Sequence, residues 1–130
     1  MRVTNLKYFQ KRWAREKYLV MAHSQHHYNA LRQLFKGNVW SVDKELEFER
    51  LLAEALAHNP SIKTLRTAYQ HIWGYFKKCA SDEERERFKE LDLFLESHAQ
   101  EMHEFLKCMT DKYRPPYLLQ SRIMQVDKIQ

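Results

Sequence analysis

Residues 21–28 read MAHSQHHY, which places three of the chain's seven histidines and a serine in one short stretch. Imidazole and hydroxyl groups in this pattern suit several chemistries. His23 and His27 are four apart, so a continuous helix would set them on one face, as in a zinc-binding H-x-x-x-H pair. No glutamate follows His23 as HExxH requires, and spacing fixes no third ligand; no metal and no cofactor are expected. His23 could serve as a general base, because an unperturbed imidazole titrates near neutrality. A Ser24–His23 nucleophile is poorly supported, since adjacent helical residues point in different directions and no orienting carboxylate is evident. The alternative is structural: Ser24 is an N-cap, His23 is a buried histidine tying the first helix to its neighbours, and His26 and His27 are solvated or touch an RNA backbone.

A second constellation lies at residues 71–78, HIWGYFKK. His71 and Tyr75 share the flank of a helix opposite its apolar stripe. Gly74 stands between them, and a glycine inside a helix costs about 1 kcal/mol relative to alanine. Close approach of another helix or access for a ligand or phosphate would account for it. Lys77 and Lys78 complement the helix dipole and suit phosphate contact. A third set, Lys7, Lys11 and Arg15, forms one stripe at four-residue steps with Arg12 beside it. Such a stripe is either a solvated face or a backbone-binding one.

The elements that carry these residues are helices. Two glycines and three prolines in 130 residues leave few turns, and hydrophobic residues make up 44%. The expected fold is an all-α single domain over residues 1–130, with about six helices. The first spans residues 4–22, capped by Thr4 or Asn5, and buries Leu6, Phe9, Trp13 and Val20. The second begins near Ser24 and ends at Gly37, where a left-handed turn is permitted. The third follows Ser41 and buries Leu46, Leu52 and Leu56. Ser61 caps the fourth, whose Ile62, Leu65, Tyr69, Ile72 and Phe76 recur at helical spacing. Ser81 to Glu84 is a capping box. After it, Phe88, Leu91, Leu95, His98, Met102, Phe105 and Met109 continue the 3–4 spacing over about 28 residues. That seam predicts a long fifth helix acting as a spine, with His98 a hydrogen-bonded core residue. Pro115 and Pro116 precede a short last helix.

Charge is segregated along the chain. Residues 1–40 hold eight Lys/Arg against one acid, while residues 81–111 hold four against ten. One electropositive face is therefore expected. Tyr8, Trp13, Trp40 and Trp73 supply aromatics, most of them buried by periodicity. No apolar run approaches the roughly 20 residues a membrane span needs, and the N-terminus lacks the apolar core of a signal peptide; a cytoplasmic location is expected. Cys79 and Cys108 read as free thiols, too few for an all-cysteine iron–sulfur cluster.

Three blocks in order, KYLVMAHS at 17–24, HIWGYFKK at 71–78 and YLLQSRI at 117–123, resemble the YbgA family, a small bacterial domain of largely unassigned function. Lys17, His23, Ser24, His71, Gly74, Tyr75, Phe76, Lys77, Tyr117, Leu118 and Gln120 stand on the family's positions. The family occurs alone or fused to a desulfurase domain that acts on thiolated uracil and carries the cysteines for an iron–sulfur cluster; nothing here resembles that domain. The resemblance implies an accessory module for thiouridine desulfuration that holds RNA, with tRNA the expected RNA, beside a desulfurase partner. The family's Tyr-Arg-x-Gly break is replaced here by His98-Ala99 in HAQEMHEFLKCM, so the fifth helix is expected to run on. The expected interface is a backbone-binding face of Lys7, Lys11, Arg15, Lys17, Lys77 and Lys78 around a polar pocket of His23, Ser24, His71, Gly74, Tyr75 and Gln120. An enzyme or small-ligand binder using that pocket is the alternative; a protein-interaction module docking through the acidic 82–104 face is a further one.

Overall fold

The structure, a computed structural model, describes residues 5–37 and 39–129; Thr4, one of the two expected N-caps, lies outside them. The fold is all-α. The helices are α1 (Leu6–His23), α2 (Gln25–Leu34), α3 (Val42–Ala57), α4 (Ile62–Trp73), α5 (Asp82–Leu93), α6 (Leu95–Tyr113) and α7 (Pro116–Gln120), followed by a 3-10 turn at Arg122–Met124. Four serines start helices by accepting the backbone N–H three residues on: Ser24 from His27, Ser41 from Lys44, Ser61 from Thr64 and Ser81 from Glu84. Each satisfies an amide that the helix itself leaves unpaired. Gly37 has φ +73°, the left-handed conformation its missing Cβ allows.

Helix α1 is the centre of the molecule because it is buried on two sides. Phe9, Trp13 and Val20 join Leu31, Phe48, Leu51 and Leu52 in a cluster shared with α2 and α3. Tyr18, Leu19, Met21 and Ala22 join the larger cluster built on Tyr69, Ile72, Trp73, Leu91, Leu95, Met102 and Leu106. Helix α4 separates α1 from the acidic pair α5 and α6: α4 packs on α1 and on α6, and α5 packs on α6. Glu16, the one acid among the first 40 residues, is buried on α1 and accepts from Arg122 at 3.0 and 3.1 Å. That pair fastens the C-terminal segment to α1.

The expected spine is not one helix. The chain leaves helical geometry at Phe94 (φ −112°, ψ 37°) and again at His98 (φ −130°, ψ 23°). It then folds back: Glu84, at the start of α5, accepts hydrogen bonds from Lys112 and Tyr113 at the end of α6, and Arg87 pairs with Glu101. Of the seam, Phe88, Leu91, Leu95, Met102 and Met109 are buried as expected, but on the two arms of an antiparallel hairpin. A continuous helix of about 28 residues would extend roughly 42 Å, longer than a domain of this size is wide. The local device is the Phe94 carbonyl. It accepts from the Ser97 amide and the His98 Nδ1 at 3.0 Å each, so a side chain displaces the regular i to i+4 bond. His98 is thus part-exposed at a turn and not a core histidine. The histidine buried on this hairpin is His103, whose Nε2 donates to the Val126 carbonyl at 2.8 Å while the Tyr69 hydroxyl lies 3.4 Å from Nδ1. Leu46 also departs from expectation: it is exposed, because the buried face of α3 is Phe48, Leu51, Leu52 and Ala55.

Candidate nucleic-acid interface

With two faces of α1 buried, one stripe is left for solvent, and it is the basic one. Lys7, Lys11 and Arg15 are exposed, and none of them takes part in an ion pair among the described residues. Arg12 is different. It pairs with Glu49 and lies over the Tyr8, Phe9 and Phe48 rings, 5.1 to 5.8 Å from their centroids. The Glu49 carboxylate raises its already high pKa, so it is a permanent cation held over aromatic rings. Tyr8, Lys11, Arg12 and Arg15 line a groove of about 290 Å³ whose far wall is Gln120 of α7. Tyr8 is half exposed there. Gln120 therefore belongs with the basic stripe.

One turn back on α7, Tyr117 continues this surface. Lys17 Nζ sits 5.6 Å from the Tyr18 centroid and 5.7 Å from that of Tyr117. Burial, with a contribution from Arg32, lowers the Lys17 pKa from its ordinary value. The Tyr117 ring lies parallel to that of Tyr75, 18° apart in plane with centroids at 6.1 Å. The buried Tyr18 meets both edge-on, and its hydroxyl is 2.9 Å from that of Tyr75. Desolvation and that hydrogen bond push the Tyr18 pKa far up, so it stays a neutral phenol. His71 leans toward Tyr18 at 6.4 Å and lines, with Thr67, Gln70, Gly74 and Lys77, a groove of about 370 Å³. Lys77 and the neighbouring Lys78 are exposed in the turns that follow α4. These contacts join α1, α7 and the end of α4 into one basic, tyrosine-rich band.

Gly74 does not answer to close approach of another helix. A Cβ there would meet no neighbouring helix; it would press on the His71 carbonyl at 3.1 Å. The glycine serves its own chain, where α4 ends and turns begin.

His23 and Ser24 stand apart from this band, so the expected single pocket is divided. His23 is buried, with Nδ1 2.7 Å from the His58 carbonyl, and lines a cavity of about 210 Å³ with Leu19, Leu56 and Arg122. His27, expected in solvent, is buried too; its Nδ1 lies 2.8 Å from Ser24 Oγ and its Nε2 3.2 Å from Glu54 Oε1. The hydrogen bond to His27 is the first cause holding the Glu54 carboxyl below its usual range. This is a serine–histidine–carboxylate chain, with the carboxylate that the sequence left unseen arriving from α3. Its serine, however, is buried and already accepts the His27 amide as the α2 cap. The Ser24 hydroxyl is thus already engaged by both the backbone and the ring of His27. The His58 ring covers His27 at 4.8 Å. Among the described residues no three His, Cys, Asp or Glu side chains form a group able to hold a metal. The MAHSQHHY stretch is a helix junction stitched by imidazoles. His23→Ala is accordingly expected to lower stability by about 2 kcal/mol, read by chemical unfolding.

A family model described as a protein of unknown function (DUF1722) matches residues 17–127. The chain belongs to the DUF1722 family. The DUF1722 match takes in Lys17, His71, Tyr75, Lys77, Tyr117 and Gln120, whereas Tyr8, Lys11, Arg12 and Arg15 precede it. No curated protein and no solved structure matches the chain. Among the described residues no helix is long and apolar enough to cross a membrane. Cys79 and Cys108 are both free and exposed.

Proposed function

We propose that this chain is an RNA-binding module, with tRNA as its preferred RNA, acting beside a thiouridine desulfurase that supplies the chemistry. The observation that carries this reading is the groove between α1 and α7, where Lys11, Arg12 and Arg15 face Gln120 around a half-exposed tyrosine. Guanidinium and ammonium groups hold phosphates, an amide can hydrogen-bond a base or a ribose hydroxyl, and an exposed ring can stack. Exposed cations on α1 and the acidic helices α5 and α6 beyond α4 orient a polyanion toward α1. Sequence resemblance to the YbgA family supports the link to tRNA and to desulfuration, because that family occurs fused to thiouracil desulfurases.

The test is tRNA binding by fluorescence anisotropy across a salt series. If Lys7, Lys11, Arg15, Lys17, Lys77 and Lys78 all meet phosphates, log K should fall linearly with log salt with a slope of about −4 to −5. Affinity that is absent at 50 mM salt, or indifferent to salt, would contradict the reading.

A further inference from the structure

The band is built unevenly. Its ends present cations, but its middle presents two parallel tyrosines. We infer that Tyr75 and Tyr117 form a seat for one unpaired, unstacked nucleotide, so that the RNA taken by this module is single-stranded at that point. The inference rests on the RNA-binding reading and specifies its substrate class.

Three features support a seat over ordinary core packing. First, the rings are accessible: Tyr75 is 38% exposed and Tyr117 part-exposed, whereas nearby Tyr18 and Tyr69 are buried. Second, the platform is held in place before anything binds. The Tyr18 hydroxyl fixes that of Tyr75 at 2.9 Å, and its ring supports both others edge-on at 6.1 and 6.2 Å. A pre-set aromatic face loses little freedom when a base settles on it. Third, a cation stands beside the platform. Lys17 Nζ lies over the Tyr117 ring, 5.7 Å from its centroid, where it can meet the phosphate of a nucleotide seated on the tyrosines. Together these match the pairing of stacking platform and backbone cation used for single strands. A base within a duplex is stacked on both faces and cannot reach the rings unless it is flipped out.

The experiment compares a stem-loop RNA with a fully paired RNA of equal length and charge. Wild-type protein should bind the stem-loop at least tenfold more tightly. Tyr75→Ala and Tyr117→Ala should each weaken stem-loop binding about 5- to 150-fold, the range of one lost base–aromatic stack, and leave duplex binding and the salt slope unchanged. Tyr75→Phe keeps the ring and should retain binding; thermal melting of each variant checks the fold. Equal affinity for the two RNAs, or alanine variants that bind the stem-loop as well as wild type, would overturn the seat while leaving the basic interface standing. Loss of binding in Tyr75→Phe equal to that of alanine would also overturn it, since the ring face would be irrelevant. Binding of neither RNA removes both readings.

Discussion

Replacing Lys7, Lys11 and Arg15 together by glutamine should weaken tRNA binding about 100-fold or more at 0.1 M salt. Each phosphate contact contributes roughly 0.7 to 0.9 to the log–log salt slope. Three contacts then account for about two of the orders of magnitude in affinity at that salt, and the slope should become shallower by about 2. Folding should be nearly indifferent, within about 0.5 kcal/mol, because these side chains are exposed and form no ion pair among the described residues. Arg12 is excluded from this set on purpose. It pairs with Glu49 and covers three rings, so its removal would mix a packing loss with a charge loss. Isothermal binding over four salt concentrations and a denaturant melt of the same variant supply both numbers. Undiminished affinity in low salt would reduce the stripe to a solvated face.

The largest stability effect should come from His103. It is almost fully buried and bridges the Tyr69 hydroxyl and the Val126 carbonyl. His103→Ala removes a ring from the core and strands two polar partners, a loss of about 2–4 kcal/mol. That is a sizeable share of the total stability of a small domain. The same residue sets a pH dependence. Burial, the largest cause, lowers its pKa below the ordinary value, so the folded state holds it neutral. The unfolded chain binds the proton more readily, which means stability is full above the ordinary histidine value of about 6.5 and falls as pH drops below it. His103→Gln retains hydrogen-bonding capacity without titrating and should flatten the profile between pH 7 and pH 5. A wild-type profile that is level, or that rises toward acid, would contradict the assignment.

Much of this architecture can be read from the chain because its signals are local. Ser41 and Ser61 cap helices whose apolar residues begin within a turn, Ser81 opens a capping box, and Gly37 marks a left-handed exit. The hairpin of α5 and α6 could not be read in that way. A 3–4 apolar spacing is the same on one long helix and on two helices that fold back, and the break depends on His98 bonding a carbonyl four residues earlier. Site residues divide along the same line. The α1 stripe is local and its exposure was legible. Gln120 facing Lys11 and Arg15 depends on how α7 docks, and the burial of His27 depends on Glu54, from another helix. Spacing also could not separate His23 from His71, because both lie in family-like blocks yet line different cavities. His58 and His103 carried no pattern at all; only the folded arrangement gives them partners.

RNA is proposed to lie along the band running from α1 over α7 to the end of α4. Titrating isotope-labelled protein with a tRNA and following its amide resonances locates the contact surface. Shifts are expected at residues 7–17, 71–78 and 117–120, with His23, His27, His58 and the acidic helices α5 and α6 unmoved apart from the first turn of α5. Shifts centred instead on the His23–His58 junction or on the acidic hairpin would contradict it.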